Sequence, residues 1–592
     1  MQLVLLDWIL ILSFFSIFLL IGIGVARRSG KNSQEFFLSG RNMPWWLLGI
    51  SMVATTFSAD TPNLVTDIVR QNGISGNWVW WAFLLTGMLT VFVYAKLWRR
   101  SKVLTDLEFY EMRYSGKAAA FLRGFRALYL GVFFNVMIMA AVCLAAIKIG
   151  GILFGLEAWE SVLYASVVTV FYSSLGGLRG VIFTDFLQFI VAMVGSVLAA
   201  IYIVNLPEVG GLEALLAHEG VADKLNFLPD FNDTESLWTL LLIPLAVQWW
   251  SVWYPGAEPG GGGYIAQRML SAKDERNAIG ATLLFNVAHY ALRPWPWILI
   301  ALASLVLYPE LSDISTAFPN ATPGHDLGYP AMLTRLPAGL LGLVVASLIA
   351  AFMSTISTHL NWGSSYVALD FYKRFLKPEA TEKELVNVGR LSTLLLMVIA
   401  ACIALLLSDA LSTFSILLQI GAGTGLIFIL RWFWWRVNAY SEITGMIVSF
   451  VLALVFEFTE LGLDNTEKLL YGVGLTTVSW MVVTLVTRPT DTAVLAEFYN
   501  LVRPYGRGWQ PFRRRAEQQQ IQLKTSTDNF TIDLALMLLG VLFVYSSLFG
   551  TGYLIYGNTV GALTLGSLAL ISGVAVFKLW GRHKKNRPKG TV

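Results

Sequence analysis

The chain has 592 residues, of which 56% are hydrophobic and 14% charged, with a mean hydropathy of +0.62. A soluble chain of this length would divide into about four domains of ~150 residues and carry about 25% charged residues, so the composition excludes that arrangement. The net charge of +4 is no argument for a nucleic-acid partner, because surplus Lys and Arg in a membrane protein collect on cytoplasmic loops. Cys143 and Cys402 stand far apart inside separate apolar runs, which excludes a disulfide framework or a zinc-ligand spacing.

Runs of ~20 apolar residues suffice to cross a bilayer, and fifteen can be placed in chain order. They lie near 4–26, 44–70, 77–98, 125–152, 158–175, 181–205, 237–260, 279–308, 336–371, 388–408, 411–435, 440–458, 467–487, 531–554 and 559–580. The first run has no basic leader or small-residue cleavage site and is followed by Arg27 and Arg28. It reads as a retained span with its start outside, not as a signal peptide. Alternate loops are then basic: Lys96 to Arg126 holds eight basic and three acidic residues, the 488–530 loop contains the run from Arg513 to Arg515, and the tail contains GRHKKNRPKG. The 206–236 loop, predicted outside, has seven acids and a single lysine, Lys224. This charge pattern predicts a cytoplasmic C-terminus, with the 488–530 segment as a solvated connector at the membrane surface.

Two spans interrupt their own helices. The second, WWLLGISMVATTFSADTPNLVTDIV, changes from apolar residues to Thr55, Thr56, Ser58, Asp60, Thr61 and Pro62, and the seventh contains Pro255, Glu258, Pro259 and four glycines ending at Gly263. Proline removes an amide donor and glycine disfavours helix, so both should unwind within the bilayer. Their separation is five spans, an odd number, which predicts a five-span unit repeated upside down. Broken helices at matching positions of inverted halves mark a transporter's mid-membrane site, although each break alone is also compatible with a simple kink.

The ninth span carries Ser354, Thr355, Ser357 and Thr358, a hydroxyl ladder suited to a hard cation or to close helix packing. Asp185 lies a few residues inside the sixth span, where a carboxylate is costly and reads as functional; a pair with Arg179 is the plainer alternative. Asp60, Glu258, His289 and Arg293 are further polar groups in apolar surroundings. Most of the 21 tryptophans should form interfacial belts, while Trp beside a break can stack on a substrate ring. HExxH, GxGxxG, Walker, GxSxG and selectivity-filter patterns are all missing, so the chain is expected to move a solute and not to be an enzyme.

Over residues 5–480 the chain resembles the sodium/solute symporter family, which includes sodium/glucose and sodium/proline symporters and has a LeuT-type core. The resemblance rests on FFLSGRNMPWW with ATTFSADT, GGLRGVIFTDFLQF, YIAQRMLSAKDERNA and AAFMSTISTHL leading into LDFYKRF. It implies a first sodium site from backbone carbonyls of Ala54, Phe57 and Ala351 with the hydroxyls of Ser354 and Thr355. A second sodium site is implied at Asp185, Ser354, Ser357 and Thr358. Around the substrate it implies Thr56, Asp60, Thr61, Trp80, Trp253, Tyr254, Glu258 and His289, with Tyr254 as an inner gate. Where a sugar-transporting relative has a lysine and a glutamate, this chain has His289 and Trp80, which argues against simple galactose recognition.

These readings converge on an all-α membrane protein with a 5+5 inverted-repeat core. Its divisions would be 1–43 as an extra span and loop, 44–205 as the first repeat, 206–436 as the second, and 437–592 as trailing spans. The expected activity is sodium-coupled import of a small polar solute, a sugar or sugar derivative, across the inner membrane, with two sodium ions and a monomer sufficient. The alternatives are proton coupling through Asp185 and His289, or a channel or solute sensor. A sensor is disfavoured by a tail of about twelve residues after the last predicted span.

Overall fold

The computed structural model describes residues 3–29, 31–252, 258–319, 324–407, 421, 423–459, 461–524, 526 and 528–585. Among them the chain is helical and has no strand; one backbone bridge joins Met43 to Ala272. Among the described residues ten helices are long and apolar enough to cross a membrane, and they coincide with predicted spans three, four, six, eight, nine, ten and twelve to fifteen. Shorter apolar helices lie at the first, second and fifth spans, Leu5–Phe18, Trp45–Thr55 and Ala158–Phe171. Parts of the seventh and eleventh predicted spans fall outside the described residues, as do Trp253 and Tyr254.

The second span is broken where its sequence turns polar. One helix runs Trp45–Thr55 and a second resumes at Thr61–Asn72, with Pro62 in its first turn, where a missing amide costs nothing. Between them, the Phe57 amide donates to the Val53 carbonyl at 2.9 Å and the Thr56 hydroxyl to the same carbonyl at 3.0 Å.

The seventh span's glycines are required individually. Gly260, Gly261 and Gly263 have φ of 87°, 84° and 53°, the left-handed region that side chains with a Cβ disfavour. The backbone freed there is not left bare: Trp98 Nε1 donates to the Gly260 carbonyl at 2.9 Å, and the Gly263 amide donates to Asp106 Oδ2 at 2.8 Å. Asp106 in turn accepts from the Tyr366 hydroxyl.

The fifth and sixth spans form one helical run, Ala158–Val204, interrupted at Gly177 with φ 52° and ψ −162°. A Cβ at Gly177 would also stand 2.7 Å from the Phe36 carbonyl oxygen. The first span meets the start of the ninth, Leu340–Ser365, through Asp7, which is 1% exposed. Its Oδ1 accepts the amides of Gly339 at 2.7 Å and Gly342 at 2.9 Å, and its Oδ2 accepts that of Val4 at 3.1 Å. Asp7 thus satisfies amides at the helix N-terminus that would otherwise be unpaired.

The 488–530 segment is not a solvated connector. Its helices Thr492–Val502 and Gln510–Gln518 bury Phe498, Tyr499, Trp509 and Phe512, and Trp509 Nε1 donates to the Trp432 carbonyl at 2.8 Å. The buried Arg113 guanidinium lies 5.1 Å from the Trp509 ring and 5.4 Å from that of Phe498. The aromatic residues interleaved with its basic run drive this packing, because exposing them would forfeit about 1.5–3 kcal/mol each.

Asp7→Ala is expected to lower unfolding stability by about 2 kcal/mol, the upper range for a lost cap, because three amides lose their acceptor. Asp7→Asn, which keeps one side-chain oxygen, should lose less. Melting of the purified protein in detergent checks the order.

Candidate functional site

The break in the second span, the glycine run and the eighth span enclose a cavity of about 690 Å³, open space at its mouth included. Its walls are aromatic: Trp80 stacks on Tyr290 with centroids 5.8 Å apart and meets His289 edge-on at 5.7 Å, while Phe83 and Phe285 complete the apolar lining. Three polar atoms on these walls, Thr86 Oγ1, Asn286 Oδ1 and Glu258 Oε2, are buried without a hydrogen-bond partner among the described residues. A dry, unpaired polar group costs about 1–3 kcal/mol, so each calls for a solute group or a water.

His289 sits in a π-helical turn, Ala288–Leu292, directly after the Glu275–Val287 helix. Its Nε2 is 3.1 Å from an Arg293 nitrogen and its Nδ1 is 3.0 Å from Thr56 Oγ1. Arginine can only donate, so Nε2 accepts and Nδ1 carries the proton. Thr56 Oγ1 accepts that proton and donates its own to Val53, while Arg293 also donates to the Thr56 carbonyl at 2.6 Å. The network is satisfied by a neutral imidazole, and it braces the second-span break from the side of the cavity.

Of the residues expected around the substrate, Thr56, Trp80, Glu258 and His289 line the cavity. Asp60 and Thr61 do not. Thr61 Oγ1 accepts the Ser58 amide at 3.2 Å, and Asp60 lies at the start of the resumed helix with Oδ1 buried and unpaired. Thr61 thus pins the turn where the helix restarts, and Asp60 takes the N-cap position there without a side-chain cap bond, so neither is on the wall.

The hydroxyl ladder faces the break. Thr355 Oγ1 donates to the Thr55 carbonyl at 2.9 Å, and Ser354 Oγ donates to Asp185 Oδ1 at 2.6 Å. Ala54, Phe57 and Ala351 are buried, each at most 2% exposed. A hydroxyl that donates its proton keeps its lone pairs, so both oxygens retain the capacity to ligate a cation. Ser357 Oγ donates back to the Ser354 carbonyl at 3.1 Å.

Asp185 does not pair with Arg179, which lies 3.9 Å from Glu35. Its partner is Arg268, 3.7 Å away, with both side chains fully buried. The guanidinium also donates to Thr358 Oγ1 at 2.7 Å, to Gln267 Oε1 at 3.1 Å and to Ser51 Oγ at 3.3 Å, and Ser51 itself donates to Asp185 Oδ2 at 2.5 Å. A cationic side chain therefore already stands among Asp185 and Thr358, two members of the expected second sodium site.

Glu258 Oε1 accepts from Arg126 at 2.6 Å, while its Oε2 is buried without a partner among the described residues. Arg126 continues to Glu442 at 3.4 Å, which accepts from the Tyr114 hydroxyl at 2.6 Å and lies 3.6 Å from Arg431. Arg268, Arg126, Asn286 and Thr86 were absent from the expected site. Asn286 stands three residues before His289 and Arg268 five after the last glycine, the available sequence signals.

A helical membrane fold with an aromatic cavity between two helix breaks has the architecture of a solute transport protein, and comparison with known proteins specifies which kind. Residues 36–449 match the model of the Sodium:solute symporter family, so the chain belongs to that family. A sodium/glucose cotransporter of Vibrio parahaemolyticus is 26% identical over 78% of this chain and 88% of its own length. A sodium/mannose cotransporter of Bos taurus is 26% identical over 77% and 80%. The fold is that of a Na+-coupled sialic acid symporter solved substrate-bound and outward-open, with TM-score 0.70, 21% identity, and coverage of 83% of this chain and 99% of that one.

Asp185→Asn and Arg268→Met are each expected to cost about 3–5 kcal/mol, the range for stranding one member of a buried ion pair. The double variant should recover a large part of the loss. Thermal unfolding of the three proteins in one detergent checks this, and additive losses would deny the pair.

Proposed function

We propose that the chain is a sodium-coupled symporter that imports a small polyhydroxylated solute, a sugar or sugar derivative, by alternating access. The observation that carries this reading is the aromatic cavity with three buried, unpartnered polar atoms, Thr86 Oγ1, Asn286 Oδ1 and Glu258 Oε2, set between two helix breaks. Sugar rings present apolar faces to aromatic walls and hydroxyls to such atoms. The glucose and mannose cotransporters among the relatives point the same way.

Sodium binds, on this reading, at Ala54, Phe57, Ala351, Ser354 and Thr355, and holds the second span against the ninth. A second ion at Asp185, Ser354, Ser357 and Thr358 competes with the Arg268 guanidinium and is the weaker of the two. Each inward charge draws about 2.3 kcal/mol from a potential of 100 mV. Coupling by sodium is favoured over coupling by protons because both nitrogens of His289 are committed to Arg293 and Thr56. The core is taken as two inverted sets of five spans with an extra span before and four after. The N-terminus lies outside the inner membrane, the C-terminus lies in the cytoplasm, and one copy suffices. Opening toward the basic-loop side then requires the Glu258–Arg126–Glu442 cluster to separate.

In proteoliposomes, an inward sodium gradient is expected to drive uptake from a panel of sugars, sugar acids and amino acids, with sugars preferred. Thr355→Ala should raise the half-saturating sodium concentration about tenfold, equivalent to about 1.4 kcal/mol. Uptake driven equally by a proton gradient in sodium-free buffer would overturn the reading. Asn286→Ala should weaken solute affinity about tenfold, again about 1.4 kcal/mol, while leaving sodium affinity in place; a parallel loss of both would place Asn286 in structure and not in recognition.

A further inference from the structure

Away from the transport cavity, a second groove of about 1130 Å³, open space included, separates the second and eighth spans from the last two helices. Leu283, Val287, Phe543, Val576 and Phe577 form its apolar length, and Gly280 and Gly573 let Trp45 and Phe543 pack close, where a Cβ would stand 3.1 and 3.2 Å from them. Its polar end is sharply defined. Trp45 opens the Trp45–Thr55 helix, Arg276 is the second residue of the Glu275–Val287 helix, and Trp580 lies near the end of the Thr559–Lys585 helix. By the alternation of loops, those before Trp45 and Arg276 share a face with the basic tail, which reads GRHKK beyond Trp580. One end of the groove is therefore at the basic-loop face and the rest runs into the membrane.

Arg276 is exposed and forms no ion pair within 4.0 Å among the described residues. The neighbouring acids are already engaged: Glu275 pairs with Arg100 at 2.8 Å, and Asp274 accepts the Asn277 amide at 2.8 Å as the helix cap. Asn277 Oδ1 in turn accepts the Trp45 amide at 2.9 Å, which ties the two walls together at the mouth. A guanidinium with an unclaimed planar fork matches a phosphate in two-point geometry. The flanking tryptophans are the residues that sit at headgroup level.

We propose that this groove is a binding site for one anionic diacyl glycerophospholipid, its phosphate on Arg276 between Trp45 and Trp580 and its acyl chains along the apolar length. A zwitterionic lipid fills the apolar part equally well but gains less at Arg276, because its own ammonium group offsets the phosphate charge. The site touches the backs of the two helices whose other faces carry Ser51 and Asn286, so its occupant bears on the same elements that frame the transport cavity. The proposal does not depend on which solute is carried.

Native mass spectrometry of the full chain, delipidated in detergent and titrated with dioleoylphosphatidylglycerol or dioleoylphosphatidylcholine, tests it. The anionic lipid is expected to be retained about fivefold better, the factor that about 1 kcal/mol per basic residue supplies. Arg276→Gln should abolish that preference and Arg276→Lys should keep most of it. Leu283→Trp, which fills the groove, should reduce retention of both lipids. Excess inorganic phosphate should not displace the bound lipid. Equal retention of the two lipids, a preference that survives Arg276→Gln, or displacement by phosphate alone would each overturn the assignment.

Discussion

A peptide group inside hydrocarbon has no water to bond to, so a helix can be interrupted there only where protein or a wet cavity takes up the freed amides and carbonyls. Nearly every feature of the core follows from meeting that requirement twice. At the first break the Thr55 carbonyl receives Thr355 and the Thr56 carbonyl receives Arg293. At the second, the Gly260 carbonyl receives Trp98 and the Gly263 amide donates to Asp106. The groups that satisfy the breaks come from distant spans, so unwinding a helix and bringing the site together are one event. A cavity forms between the breaks because the chain there no longer supplies a continuous helix surface to pack.

Each break is also served by a buried cation. Arg268 reaches Ser51 of the second span, Thr358 of the ninth and Asp185 of the sixth from its place just beyond the glycine run. Arg126 joins Glu258 to Glu442 on the other side of that run. Taking these charges out of water costs several kcal/mol per ion, and pairing repays that only with good geometry and further hydrogen bonds. Arg268 meets the condition through several donors in one plane, something a lysine has no means to do. An apolar plug of the same volume would pack as tightly, but it would not have alternative partners. A guanidinium held by a carboxylate, two hydroxyls and an amide can exchange one acceptor for another at small cost.

The parts legible in the sequence are those governed by local rules. Long apolar runs, the polarity change after Val53 and the four glycines before Tyr264 locate helices and breaks, because hydrophobicity, proline and glycine act on their own neighbourhoods. The hydroxyl ladder was legible too, since the spacing of Ser354, Ser357 and Thr358 at i, i+3 and i+4 puts three of its four hydroxyls on one face. Arg268 was not, because nothing in YIAQR tells whether the arginine points to water or to a carboxylate 83 positions earlier. The same holds for Glu258, whose role depends on Arg126 in another span. Asp60 and Thr61 stand beside the break in sequence yet not on the cavity wall, because Thr61 Oγ1 accepts the Ser58 amide within the turn and Asp60 holds the N-cap position of the resumed helix. The 488–530 segment misled because its charge dominates its composition, while its fold is set by the few aromatic residues that bury.

The unpaired atoms of the cavity constrain what kind of selectivity the site can have. Trp80, Phe83, Phe285 and Tyr290 attract any ring with an apolar face, so the walls alone discriminate little. Thr86, Asn286 and Glu258 do more, but not by attraction, since water entering the cavity bonds to them nearly as well as a solute hydroxyl does. Their effect falls on solutes that displace that water without replacing its bonds. Such a solute leaves buried groups unpaired, and sites built this way reject analogues lacking a hydroxyl far more strongly than apolar pockets reject an extra one. A cavity with aromatic sides and a few separated polar atoms therefore tolerates variation in ring shape while insisting on hydroxyls at particular places. Specificity among related solutes then rests on the spacing of three atoms contributed by three different segments, the third span, the glycine run and the eighth span.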